Sequence, residues 1–233
     1  MIRNEKAAAL MKKEKYDFYD LVVIMELLRG EGGCPWDAEQ THESIRKNFI
    51  EETYEVVEAI DAKDTKLLRE ELGDVMLQVV FHTQMEKEAG AFDIDDVAND
   101  VCAKLIHRHP HVFGEVDADT SDEVLKNWEA IKNEEKSRVT LYEKLKSIPP
   151  MTPALMRSQK VSTKSGKYKE EDTTSIIKEI AKEAQALSEN DGKLEGKIGD
   201  LLFLITALCG KEDIDAEKTL FDKTNAFIDD FKS

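Results

Sequence analysis

Four carboxylates at two three-residue spacings are the densest chemical signal in this 233-residue chain. Glu52 and Glu55 fall within Glu51-Glu52-Thr53-Tyr54-Glu55, and Glu71 and Asp74 within Glu71-Leu72-Gly73-Asp74. On a helix, residues three apart share a face, with Cβ atoms about 5–6 Å apart. Carboxylates gathered at a helix–helix seam repel one another and persist when a cation sits among them. Hard oxygen donors without Cys or His favour Mg²⁺, with Mn²⁺ as a substitute, over zinc. The plainer alternative is two solvated acidic faces in a chain that is 35% charged.

Two helices must position these groups. Ile45, Phe49, Val56 and Ile60 have helical spacing, and Glu52 occupies a slot of the same face. In the next segment Leu68, Leu72, Val75 and Val79 form the expected apolar stripe, with Glu71, Asp74 and Gln78 along its edge. The polar break Ala62-Lys63-Asp64-Thr65 lets the helices fold back antiparallel. Thr41 or Ser44 is expected to cap the first, which runs to about residue 60; the second spans about 65–88 and stops at Gly90. A helix over 18–28 precedes them and ends at Gly30-Glu31-Gly32-Gly33. Asp93 is expected to cap another to about 106, and Ser121 one to about 136. Residues 1–15 are expected to be a loose arm or a frayed helix.

The ordered set of motifs resembles the MazG family of all-α nucleoside triphosphate pyrophosphohydrolases. Its ExxE and ExxD are joined by Cys34-Pro35-Trp36-Asp37 and by the run Lys104-Leu105-Ile106-His107-Arg108-His109-Pro110-His111-Val112-Phe113. The likeness is strong over 18–138 and weaker beyond. It implies Mg²⁺-dependent conversion of a nucleoside triphosphate and water to monophosphate and pyrophosphate, in nucleotide house-cleaning or pool regulation. It makes Glu52, Glu55, Glu71 and Asp74 the metal ligands and Glu51 and Glu52 the catalytic carboxylates, with Glu51 orienting or deprotonating the water. Glu51, Glu70, Lys104, Arg108, Trp128 and Lys132 become the substrate-binding set. An intertwined homodimer is also implied.

A second, weaker copy is expected after a proline-rich linker at 147–153, giving an N-terminal catalytic repeat at 1–146 and a degenerate one at 154–233. Ile176, Ile180, Glu183 and Leu187 repeat the spacing of 45, 49, 52 and 56 at an offset of 131, and Gly199-Asp200 echoes Gly73-Asp74 at an offset of 126. In that register Ala186 replaces Glu55 and Lys197 replaces Glu71, so the carboxylate set is broken. The fold class is therefore all-α with two tandem repeats, the second one packing, dimerising or regulating.

Composition excludes several classes. The net charge of −16 disfavours nucleic-acid and anionic-membrane partners. No apolar run approaches the ~18 residues of a membrane span, and a charged N-terminus argues against a signal peptide. Cys34, Cys102 and Cys209 have no paired or metal-ligand spacing, so reduced thiols in a cytoplasm are expected. His107, His109 and His111 lack the pattern of a zinc site. A di-iron bundle would need Glu-x-x-His on two helices, and only Glu39–His42 fits. The non-enzymatic alternative is a metal–nucleotide sensor or scaffold.

Overall fold

The computed structural model describes residues 5–137, 139–188 and 192–232, and among them every regular element is a helix. The chain forms two compact units, one up to residue 117 and one from 118 onward. The first four residues of the expected N-terminal arm lie outside the described residues; α1 (Glu5–Leu10) follows.

In the first unit α2 (Phe18–Arg29) starts at a capping box, in which Asp17 accepts from the Asp20 amide and Asp20 from the Asp17 amide. Gly33 admits no side chain, because a Cβ there would lie 2.2 Å from the Leu27 carbonyl oxygen. After α3 (Pro35–Glu39), Thr41 and Ser44 bond each other's amides in a turn. That turn uses up the expected caps, so α4 (Arg46–Ala62) begins later than the sequence suggests, with Ile45 at its N-cap.

Lys63 adopts φ 54° and closes the turn out of α4, while Asp64 accepts from the Lys66 and Leu67 amides and starts α5 (Thr65–Glu88). The two helices run antiparallel along their length. Asp93 caps α6 (Ile94–Arg108), and α7 (Pro110–Phe113) follows. The core of Met25, Ile45, Val80, Phe81 and Met85 sits at the C-terminal half of α5. Arg29 locks this end: it bonds Glu88 through Nε and Nη2 and the Asp37 and Gln40 carbonyls through Nη1. The carboxylate half of the hairpin lies outside that core.

The second unit contains α8 (Ser121–Glu135), α9 (Leu141–Lys146), α10 (Ala154–Ser165), α11 (Thr173–Ala186), α12 (Leu194–Lys211) and α13 (Ala216–Asp229). Thr120, one residue before the expected Ser121, caps α8. Tyr168, Ile176, Leu204 and Ala207 make the core. The proline-rich stretch expected to separate the units lies inside this one, between α9 and α10. Prolines end a helix but do not release the chain from packing; Ile148, just before them, is buried. No helix among the described residues is long and apolar enough to cross a membrane.

Candidate metal and nucleotide site

The hairpin brings carboxylates from two helices together. Glu52 and Glu55 project from α4 and Glu71 from α5, and one oxygen of each lies within 4.8 Å of the other two. The left-handed Lys63 and the Asp64 cap set this register, since they fix where α5 starts relative to the end of α4. Of the apolar stripe expected on α5, Leu68, Val75 and Val79 are half-buried but Leu72 is exposed, and its polar edge is buried more deeply. Glu71 is 8% exposed and Gln78 7%, whereas Leu72 is 49% exposed and Met76 43%. On α4, Ala59 rather than Ile60 is buried.

Burial raises the pKa of Glu52 above the carboxylate norm, and the charges of Asp74, Glu55 and Glu71 raise it further. Glu71 is raised in the same direction, first by burial and then by Glu55, Asp74 and Glu70. Hydrogen bonds to Glu55 favour the acid form of both. Among the described residues, no Lys or Arg forms an ion pair with Glu52, Glu55 or Glu71. A partly buried, mutually repelling all-oxygen set, with Glu71 buried, Glu52 half-buried and Glu55 exposed, fits a hard divalent cation.

The remaining expected site residues are dispersed. Asp74, half-buried, acts electrostatically on both Glu52 and Glu71. Glu51 and Glu70 are exposed beside the cluster. Lys104 is exposed on α6, but Arg108, one turn on, is 6% exposed at the end of that helix. Trp128 and Lys132 belong to α8 of the second unit, where the Lys132 ammonium lies 4.6 Å from the Trp128 ring centre. The imidazoles at 107–111 join no metal-binding group among the described residues; His109 Nδ1 is 2.6 Å from the Leu105 carbonyl.

Comparison with known proteins places this geometry. Residues 40–113, which contain the whole carboxylate hairpin, match the MazG nucleotide pyrophosphohydrolase domain. The chain is 41% identical over 226 residues to the nucleoside triphosphate pyrophosphohydrolase/pyrophosphatase MazG of Thermotoga maritima, covering 95% of this chain and 87% of that one. The chain belongs to the MazG family. It is also 44% identical over 193 residues to the nucleoside triphosphate pyrophosphohydrolase of Escherichia coli K12, covering 78% of this chain and 73% of that protein. Its likeness to the nucleoside triphosphate pyrophosphohydrolase of Mycobacterium tuberculosis is 40% over 150 residues, 64% of this chain and 44% of that one.

Within this MazG chain, sequence reasoning missed the polar groups further along α5. His42 Nδ1 lies 2.7 Å from His82 Nδ1, His42 Nε2 lies 2.7 Å from Glu86, and the two rings stack with centres 5.0 Å apart. The signal was present: positions 71, 74, 78, 82 and 86 follow one helix face. Only Glu71, Asp74 and Gln78 of that face are expected from sequence, as the edge of an apolar stripe.

Proposed function

We propose that the protein hydrolyses nucleoside triphosphates to monophosphate and pyrophosphate in a Mg²⁺-dependent reaction, and that its first unit carries the site. The observation behind this reading is the convergence of Glu52, Glu55 and Glu71 within 4.8 Å, inside the segment that matches the MazG domain. The names of the relatives supply the cut: pyrophosphate leaves as a unit, so water attacks the α-phosphorus and the bond to the bridging oxygen of the β-phosphate breaks. Relatives named as hydrolases favour turnover over a sensor or scaffold role.

Glu52, Glu55, Glu71 and Asp74 would hold Mg²⁺, or Mn²⁺ in its place. A divalent ion held there supplies positive charge to the phosphate oxygens and to the departing pyrophosphate. Glu51, exposed next to Glu52, orients the attacking water and takes its proton. Glu70, Lys104 and Arg108 of the first unit complete the substrate contacts. Without a bound cation, the acidic surface would repel the triphosphate.

The second unit is read as a degenerate repeat without its own metal site, and the assembly as an intertwined homodimer in the cytoplasm. Ile50, Tyr54, Val57, Leu72 and Met76 on the outer faces of α4 and α5 support the dimer, since each is exposed and apolar. The test is a product assay with Mg²⁺ and a nucleoside triphosphate panel, run beside Glu52→Gln. Monophosphate and pyrophosphate from wild type alone are expected. Inert wild type that binds nucleotide would restore the sensor reading, and activity in the variant would move the site elsewhere.

A further inference from the structure

The α4–α5 seam continues beyond the carboxylates as a second set of polar groups. Gln78, His82 and Glu86 follow Glu71 and Asp74 on one face of α5, where a packed helix ordinarily places apolar residues. Because the helices are antiparallel, each step along α5 meets an earlier residue of α4 and its approach. Glu71 faces Glu55, Asp74 faces Glu52, and His82 meets Phe49 and then His42. Gln78 falls between these levels, beside that of Phe49.

Gln78 is 7% exposed, and its Oε1 is closed off from solvent with no hydrogen-bond partner. Native interiors seldom leave such a group unmatched. His82 follows on the same face. His42 Nε2 lies 2.7 Å from Glu86, and His42 Nδ1 lies 2.7 Å from His82 Nδ1, so the Nδ1 edge of His82 is engaged. That leaves the Nε2 edge of His82 outside these contacts. Burial first, and then the neighbouring His42 imidazole, lowers the His82 pKa, which favours its neutral form. Phe49 meets the His82 ring edge-on, with centres 5.8 Å apart.

An amide, a neutral imidazole and an aromatic face are the groups that read a flat heterocycle with polar edges. Seven residues of helix from Glu71 to Gln78 rise about 10 Å. That is comparable to the span from the α-phosphate of a nucleotide to its base. We propose that Phe49, Gln78 and His82 form the nucleobase-recognition end of the site, with the carboxylates at its phosphate end. This rests on the nucleotide reading given above.

Calorimetric titration of the full chain with Mg²⁺ tests it, using α,β-methylene nucleoside triphosphates of the four ribonucleobases and inorganic tripolyphosphate. Wild type should bind at least one nucleoside analogue more tightly than tripolyphosphate. Gln78→Met and, as a second variant, Phe49→Leu should each weaken that analogue about tenfold while leaving tripolyphosphate unchanged. Equal loss for both ligands, no loss for either, or wild type that binds no analogue better than tripolyphosphate overturns the proposal. Selective loss without pyrophosphate release from ordinary nucleotides would leave it standing and sink the hydrolase reading. Hydrolysis with unaltered affinities in both variants would do the reverse.

Discussion

Lys197 donates its ammonium to the Ala186 carbonyl at 2.8 Å, linking α12 to the end of α11. Position 197 lies 126 residues after Glu71 and position 186 lies 131 after Glu55. The two offsets came from separate sequence segments, yet they lead to residues that meet across one helix pair, as Glu55 and Glu71 do in the first unit. Where the first hairpin gathers carboxylates, the second carries its own fixed cation. Replacing Lys197 by Met should cost about 1 kcal/mol through the lost bond and lower the melting temperature. Monophosphate release should be unchanged if the first unit carries the site, as proposed. A collapse of turnover at intact fold would assign the second unit a direct part in the chemistry.

Glu71→Gln keeps the shape and helix propensity of the side chain and removes its charge. Turnover should fall by at least about a hundredfold, since even partners of metal ligands cost ten- to a hundredfold when lost. Far-ultraviolet circular dichroism should stay that of the wild type. Normal rates in this variant would remove Glu71 from the ligand set.

The raised pKa values give a pH test with a definite sign. Glu52 and Glu71 hold their protons more tightly in the folded chain than at the ordinary value of 4.5. The stability this supplies is fully present below 4.5 and is lost as pH rises through the folded values. In chelator at pH 7, Glu52→Gln should therefore melt higher than wild type, and the gap should close as pH falls toward 4.5. Added Mg²⁺ should stabilise wild type more than the variant. Scanning calorimetry showing a gap indifferent to both pH and Mg²⁺ would count against a cation site.

Arg29 holds three partners with a side chain that is 7% exposed. A lysine ammonium lacks the planar fork needed to reach the Glu88 carboxylate and two carbonyls together. Arg29→Lys should lower the unfolding free energy by about 1–3 kcal/mol, measured by urea titration, and loosen α3 against α5. An unchanged midpoint would show that the clamp contributes little.

Much of this molecule is legible in the chain itself. The span of α5 and the Asp93 cap of α6 follow from local rules: a capping carboxylate, helical periodicity and a glycine stop. The four acidic residues were equally visible, because three-residue spacing on a helix is a local property. Where local rules competed, the reading slipped: Thr41 and Ser44 bonded each other and pushed the start of α4 to Arg46.

Which face of α5 is buried was settled only in three dimensions. Leu72 and Met76 satisfy an apolar pattern as well as Val80 does, and periodicity alone cannot say whether a stripe faces its own hairpin or the outside. The choice depends on what α4 presents opposite, and Ala59 is buried where the sequence suggests Ile60. The His42–His82–Glu86 chain joins residues forty and more apart, so no local spacing announces it. Sequence alone determined the helices and their chemical inventory, since backbone hydrogen bonding and capping act over a few residues. Tertiary structure decided which of those groups meet, because desolvation and mutual repulsion exist only between surfaces that have been packed together.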